Sequence, residues 1–189
     1  TKGLGSGMNP ELGRQAAEES QEEIEEVISN ADMVFITCGL GGGTGTGAAP
    51  IIAELCKNRD ILTIAVVTKP FTFEGSKRKE IAESGYENLK DKVDAIISIQ
   101  NDRILQIIDK KTSLIEAFST VDEVLRQGIA GISDLITTHG VVNADFADIR
   151  TIMQDAGTAM MGIGKASGEN RAELAAKAAV NSPLLDMTI

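Results

Sequence analysis

The 189-residue sequence has no tryptophan, one tyrosine, five phenylalanines, one histidine and two cysteines. With aromatics at only 3%, the core must be built from Ile, Leu, Val, Ala and Met. The single histidine, His139, stands in a loop pattern and is read as a surface residue without a catalytic role. Cys38 and Cys56 are far apart and lack metal-site spacing. Each sits in an apolar stretch, which reads as a reduced core thiol of a cytosolic protein. No apolar run reaches the roughly 18 residues that a membrane span requires, and no signal peptide is expected. Basic residues are outnumbered, 18 Lys and Arg against 28 Asp and Glu, giving a formal net charge of −10. Holding nucleic acid by its phosphates needs a basic face, so this balance argues against that role. A nucleotide is a different case, because backbone amides and a bound cation can hold its phosphates without net positive charge.

What the sequence does have is glycine, 19 residues of it, and the glycines cluster. Between the clusters, apolar runs and amphipathic stretches alternate. Pro10 to Ser29 carries Leu12, Ala16, Ala17, Ile24, Val27 and Ile28 among charges and predicts one amphipathic helix, started by Asn9, Pro10 and Glu11. Met33 to Thr37 predicts a buried strand, followed by a helix from about Ala48 to Lys57. A strand over Ile61 to Val67, a proline-containing loop over Lys69 to Glu74 and a charged helix over Gly75 to Lys92 come next. Ala95 to Ile99 reads as a third strand, Asn101 to Ile108 as a short helix and Thr112 to Thr137 as a long one. Beyond it a loop leads to a helix near Asp145 to Gln154, a strand over Ala159 to Lys165 and a helix over Glu169 to Asn181.

This alternation predicts an α/β fold, a parallel sheet with helices on both faces, and the start of a second α+β domain after the long helix. The expected division is 1–111, a central helix 112–137, and 138–189. Thr1 is not a methionine and Leu185 to Ile189 resembles a strand cut short, so both ends are expected to be truncations. Ligands of such sheets bind outside the carboxyl ends of the strands, which puts the loops after Thr37, Val67 and Ile99 on one edge.

Gly39-Leu40-Gly41-Gly42-Gly43-Thr44-Gly45-Thr46-Gly47 falls between a strand and a helix. Without Cβ atoms its backbone can approach a polyphosphate and turn N–H groups toward it, at the positive end of the following helix. The alternative is a tight turn that lets strand and helix pack closely. No Lys-Ser or Lys-Thr follows, so this is not a P-loop. Gly43, Gly45 and Ala48 fit the loose dinucleotide pattern, but the next strand ends in Val67-Thr68-Lys69 without the ribose-binding acid, which disfavours a dehydrogenase. A second glycine loop, Gly3 to Pro10, also opens onto a helix, unless it is a flexible end.

The run Gly41 to Gly47 resembles the signature of the tubulin/FtsZ family. The resemblance extends through Thr68-Lys69-Pro70-Phe71-Thr72-Phe73-Glu74-Gly75, Asn101-Asp102-Arg103 and Asn143-Ala144-Asp145-Phe146-Ala147-Asp148, which matches the family's N-x-D-x-x-D motif. The proline-containing loop and the second acid resemble the FtsZ branch rather than eukaryotic tubulin. The resemblance implies a cytoplasmic GTPase that binds GTP and GDP, with Mg2+ held mainly by the nucleotide. It further implies head-to-tail polymerisation, a bacterial division ring at mid-cell, and membrane-tethered division partners recruited through a tail absent here. A filament protein for DNA partition or cell shape is the alternative.

By the same resemblance, Gly41, Gly42, Gly43, Thr44, Gly45, Thr46 and Gly47 bind phosphate, and Gly5, Gly7 and Asn9 sense the γ-phosphate. Glu74 and Arg78 contact the ribose. Phe118 stacks on the base, Asp122 accepts its hydrogen bonds and Asn101 helps hold it. On periodicity alone Phe118 reads as a core aromatic, but i, i+4 spacing puts Asp122 beside it on a mostly apolar face and shifts the reading toward the base. Asn143, Asp145 and Asp148 are assigned to polarising the attacking water on a neighbouring subunit's nucleotide. On the residues alone they read as a helix cap. Since the family starts with a further strand and glycine loop, the present chain alone is expected to be inactive.

Overall fold

The computed structural model describes residues 5–108, 112–137, 145–182 and 185. Asn9 accepts the Glu11 N–H at 3.1 Å and Pro10 opens α1 (Pro10–Glu19), as its cap and first-turn proline dictate. The expected single helix breaks at Ser20, and α2 (Gln21–Ile28) follows. Two causes act together. Like charges Glu18/Glu22 and Glu19/Glu23 would repel at i, i+4 across Ser20 in a continuous helix. The break also lets Gly13 and Ala17 bury in α1 while Ile28 turns onto Leu55, Cys56 and Ile61.

Three strands, β1 (Met33–Gly39), β2 (Leu62–Lys69) and β3 (Ala95–Gln100), pair in parallel, with Met33 opposite Leu62 and Ile64 opposite Ala95. Helix α3 (Thr44–Lys57) and helix α4 (Ser76–Lys90) cover one face. There Ile36, Ala65, Val67 and Ile96 meet Ala49, Ala53, Ala82 and Leu89. The alternate residues Ile64, Val66, Ala95, Ile97 and Ile99 face the other way, onto Ala117, Val121, Val124 and Ile132 of a long helix, α6 (Leu114–Thr137). Between β3 and α6 lies the short α5 (Asn101–Ile107). Burial on both faces explains why the strands read as continuous apolar runs rather than alternating ones.

After α6 come α7 (Phe146–Met153), β4 (Gly157–Thr158) and α8 (Arg171–Val180). β4 extends the sheet in the order β1-β2-β3-β4, parallel to β3. The strand expected over Ala159 to Lys165 is therefore displaced and cut to two residues. Met161 and Ile163 of this segment pack on the α6 side of the core. Gly162 and Gly164 lie so close to the Ala179 and Ala175 carbonyls of α8 that a Cβ would overlap them. Past Ala159, whose N–H still donates to the Ile96 carbonyl at 2.9 Å, the segment is held between two helices with no ladder partner among the described residues, so its apolar alternation serves packing. No helix among the described residues is long and apolar enough to cross a membrane.

Candidate functional site

The carboxyl ends of β1, β2 and β3 bring four segments together. The loop 40–43 leaves β1 with the Leu40 N–H on the Thr68 carbonyl at 2.9 Å, and then bends at Gly41 (φ +97°). A Cβ there would stand 2.7 Å from the Arg78 carbonyl oxygen, so glycine is required for position as well as for φ. The Gly41 N–H donates to Thr46 Oγ1 at 2.9 Å. Thr46 is only 4% exposed, so its hydroxyl braces the loop from inside rather than facing outward. Helix α3 starts directly on Thr44, four residues earlier than its apolar pattern suggested, with no side-chain cap. Helix geometry leaves the Thr44, Gly45 and Thr46 N–H groups without intrahelical acceptors, an anion-binding arrangement. Gly42 has open space where a Cβ would point.

The loop before α1 reaches the same place. Ser6 Oγ lies 3.0 Å from Thr44 Oγ1, and the Asn9 N–H donates to the Ser6 carbonyl at 3.0 Å. Gly43 packs under Ser6 and Asn9, while Gly13 sits against the Gly43 backbone and Gly47 against Pro10. The close-packing reading describes Gly43 and Gly47, while Gly42 is open. Gly5 and Gly7 have free space around them, and Asn9 uses its side chain as the α1 cap.

Glu74 ends a 3₁₀ turn (Thr72–Glu74) in the loop after β2. It accepts the Phe71 N–H at 2.8 Å and pairs with Arg78 at 2.9 Å. Phe71 is buried beneath, stacked on Phe73 at 4.8 Å and edge-on to Phe118 at 5.2 Å. Phe118 keeps 38% of its surface exposed, with Asp122 exposed one turn later. It is thus neither a core aromatic nor a free one: an edge contacts Phe71 and a large part of the ring stays open. Asn101 opens α5 with its Oδ1 buried and without a hydrogen-bond partner, as is Arg78 Nε. Buried polar atoms without partners cost about 1–3 kcal/mol each, and a bound polar ligand relieves that cost.

The other predicted acids lie elsewhere. Asn143 and His139 fall outside the described residues. Asp145 caps α7 by accepting the Asp148 N–H at 2.8 Å, and Asp148 accepts the Asp145 N–H at 3.3 Å. Both stay exposed. Directly after the box, Ile149 is buried, and Arg150 donates to the Asp60 carbonyl at 3.0 Å and carboxylate at 2.8 Å, just before β2 begins. The Asp155 N–H likewise reaches Asp94, just before β3. Helix α7 is therefore anchored at the amino end of the sheet, opposite the glycine loops.

Pattern reading passed over Tyr86 and gave no separate role to Ser6, Lys69, Thr72 and Asp102, which it held only as members of motifs. The signal for Gly13 was available, since a glycine inside a helix marks a close approach. Lys69 ends β2, pairs with Glu83 at 2.9 Å and lies 4.3 Å over the Tyr86 ring, whose hydroxyl is 3.1 Å from Thr158 Oγ1. A lysine so engaged occupies the place where a dinucleotide-binding enzyme would present its ribose acid. Burial pushes the Cys38 thiol up to about 11 and raises Cys56 as well, partly offset by a hydrogen bond with Thr63. Both are free, and both are unreactive in character.

Residues 1–109 match the Tubulin/FtsZ family, GTPase domain, and residues 157–189 match the FtsZ family, C-terminal domain. Among solved structures, an empty FtsZ dimer from M. jannaschii is 49% identical with a TM-score of 0.93, covering 98% of this chain and 54% of that one. GDP-bound monomeric CetZ1 from Haloferax volcanii is 25% identical with a TM-score of 0.70, over 87% of this chain and 49% of that one. CetZ from Methanosaeta thermophila, at 20% identity and TM-score 0.78 over 96% and 52%, shares the fold. The chain thus spans about half the length of the FtsZ and CetZ chains it matches. A glycine-rich strand-to-helix turn at the carboxyl end of a parallel sheet, an acidic helix cap at its amino end, and a match over more than half of its residues lead to one assignment: this chain belongs to the Tubulin/FtsZ family.

Proposed function

We infer that the chain is the GTP-binding and subunit-joining part of a polymerising GTPase. GTP lies along the carboxyl edge of the sheet, and Asp145 and Asp148 act on the nucleotide of the next copy. The observation that carries this reading is the separation of the two sets of residues. β2 has eight residues, which at about 3.3 Å each spans about 25 Å. Helix α6 begins beside Phe71 and runs back toward the amino end of the sheet over 24 residues, about 36 Å at 1.5 Å per residue. Within one molecule the acids cannot reach a phosphate held at Thr44. A head-to-tail copy places them there, so that assembly completes the site.

On this reading the N–H groups of Thr44 and Gly45 and the positive end of α3 hold the phosphates, with Gly42 leaving room for them and Ser6 meeting the terminal one. Glu74 and Arg78 take the ribose, and Phe118, Asp122 and the unpartnered Asn101 Oδ1 take guanine. Asp145 and Asp148, with Asn143, orient the attacking water, while the loop dipoles stabilise charge on the phosphoryl oxygens. Mg2+ rides on the phosphates; the described residues hold no group of three or more His, Cys, Asp or Glu that could cage it. Residues 1–111 form the nucleotide half, 112–137 the connecting helix and 138–189 the start of the activating half. The biological setting is a division ring in the cytoplasm, with membrane-tethered division proteins as partners.

The test is GTP turnover per subunit across protein concentrations, with the chain carried in a protein of its relatives' full length. A rate near zero at low concentration that rises steeply above a threshold, and is lost in Asp145→Ala, is expected. A rate per subunit independent of concentration would mean that each copy has a complete site, and the shared-site reading would be abandoned.

A further inference from the structure

The loop after β2 and the corner between β3 and α5 are 30 residues apart in sequence, and Asp102 joins them. Its Oδ1 accepts the Thr72 N–H at 2.9 Å and its Oδ2 accepts the Thr72 hydroxyl at 2.5 Å. Two bonds from one ionised carboxylate to one residue fix both position and orientation. Thr72 begins the turn that ends in Glu74, and Glu74 in turn holds the Phe71 N–H and Arg78. Within the turn, local backbone bonds are limited to Glu74 N–H on Phe71 O at 3.0 Å and Gly75 N–H on Thr72 O at 3.3 Å. These shape the turn but do not place it on the sheet. Its placement comes from Phe71, sunk into the core, and from Asp102, whose neighbour Asn101 carries the buried unpartnered Oδ1.

We propose that Asp102 is a positioning residue for the nucleoside end of the ligand. Its carboxylate sets the distance between Glu74, in the loop after β2 and paired with Arg78 of α4, and Asn101 with Phe118 on the other side. A nucleoside bridging the two loops binds only when that distance is right, since groups held in geometry before binding contribute most. Asp102 itself touches no ligand. The inference rests on the GTP reading above and goes beyond it by assigning what fixes the ribose and base halves relative to each other.

The experiment compares GDP with 2′,3′-dideoxy-GDP by titration, using protein of full length and the variants Asp102→Ala, Asp102→Asn and Thr72→Val. In the unaltered protein GDP binds more tightly than the dideoxy analogue, through the Glu74–Arg78 pair. Asp102→Ala is expected to weaken GDP about tenfold, as for loss of charged hydrogen bonds felt through a neighbour, and to weaken the analogue less, so that the preference shrinks. Asp102→Asn still accepts the Thr72 N–H and donates to its hydroxyl, and retains most of the affinity. Thr72→Val, which keeps the shape and the N–H, shows a smaller loss of the same kind and serves if Asp102→Ala does not fold. Equal losses for both nucleotides, or GDP affinity unchanged in Asp102→Ala and Thr72→Val, would overturn the proposal. Unaltered protein that binds no GDP would instead overturn the nucleotide reading on which it stands.

Discussion

Replacing Gly13 and Gly42 by alanine separates the two uses of glycine in this molecule. Gly13 lies inside α1, where alanine is intrinsically better than glycine by about 1 kcal/mol. Its new Cβ, however, would overlap the Gly43 carbonyl oxygen and stand 3.0 Å from the Gly43 carbonyl carbon and the Thr44 Cα. All three atoms are backbone, fixed by the start of α3, so no side chain can swing aside. Relief requires α1 to move off α3, and overpacking of this kind costs about 1–3 kcal/mol. Because the contact is with backbone, the upper half of that range applies, leaving a net loss of about 1–2 kcal/mol after the propensity gain. For a chain of this length that lowers Tm by about 2–8 °C. The same displacement draws Ser6 away from Thr44, so nucleotide affinity falls too. Gly42→Ala meets nothing within 4 Å and Gly42 has no positive φ, so its Tm should stay within about 2 °C of the original. Its methyl group points into the space assigned to phosphate, so affinity for GTP falls without loss of stability. Thermal unfolding without nucleotide, alongside nucleotide titration, reads both effects. A Gly13→Ala protein that melts higher than the parent, or a Gly42→Ala protein that binds GTP unchanged, would refute the respective half of the reasoning.

Three further outcomes are expected. The Cys38 thiol, pushed from about 9 to about 11 by burial, should react with iodoacetamide at pH 8 about 100-fold more slowly in the native protein than in urea, as followed by mass spectrometry; equal rates would contradict that burial. Tyr86→Phe removes the hydroxyl facing Thr158 but keeps the ring under Lys69, and should cost about 0.5–1.5 kcal/mol in denaturant unfolding, whereas Tyr86→Ala should cost clearly more. Asp145→Asn keeps a good helix cap and removes the charge, so unfolding should be nearly unchanged while GTP turnover of assembled protein drops; turnover that survives would leave Asp145 only its capping role.

The sheet was legible because its strands are buried on both faces. Ile61 to Val67 and Ala95 to Ile99 are apolar apart from one small buried polar residue each, Thr63 and Ser98, and nothing competes with that signal over five to seven residues. The two departures have the same physical origin, tertiary packing overriding a local pattern. The helix expected over Pro10 to Ser29 carries apolar residues throughout, but the two ends of α3 claim them separately: Gly13 sits against Gly43 and Thr44 at its start, while Ile28 packs on Leu55 and Cys56 near its end and on Ile61. In the segment after α7, the alternation of Met161 and Ile163 with Gly162 and Gly164 has the period of a strand. The glycines are there to admit the backbone of α8, and pairing with β3 occurs before the alternation starts. Period alone does not distinguish a side that faces a core from a side that faces a helix backbone.

The site was legible in proportion to how much of it is made by backbone. Glycine in a strand-to-helix turn signals its own use, because few other demands call for so many residues without Cβ atoms. Side-chain pairings between distant loops carry no such signal: Asp102 and Thr72 are ordinary polar residues until the parallel register of β2 and β3 brings their loops side by side. Asp145 and Asp148 show a third case, where the sequence supports two roles and the structure displays one. As a capping box each carboxylate accepts one backbone N–H, which leaves lone pairs on both acids facing solvent. Capping therefore does not compete with orienting a water on a neighbouring copy; it holds both carboxylates in fixed rotamers at the first turn of α7. A residue pair that is rigid, charged, exposed and anchored through Ile149 and Arg150 has the properties that a site completed by a second molecule needs in its half.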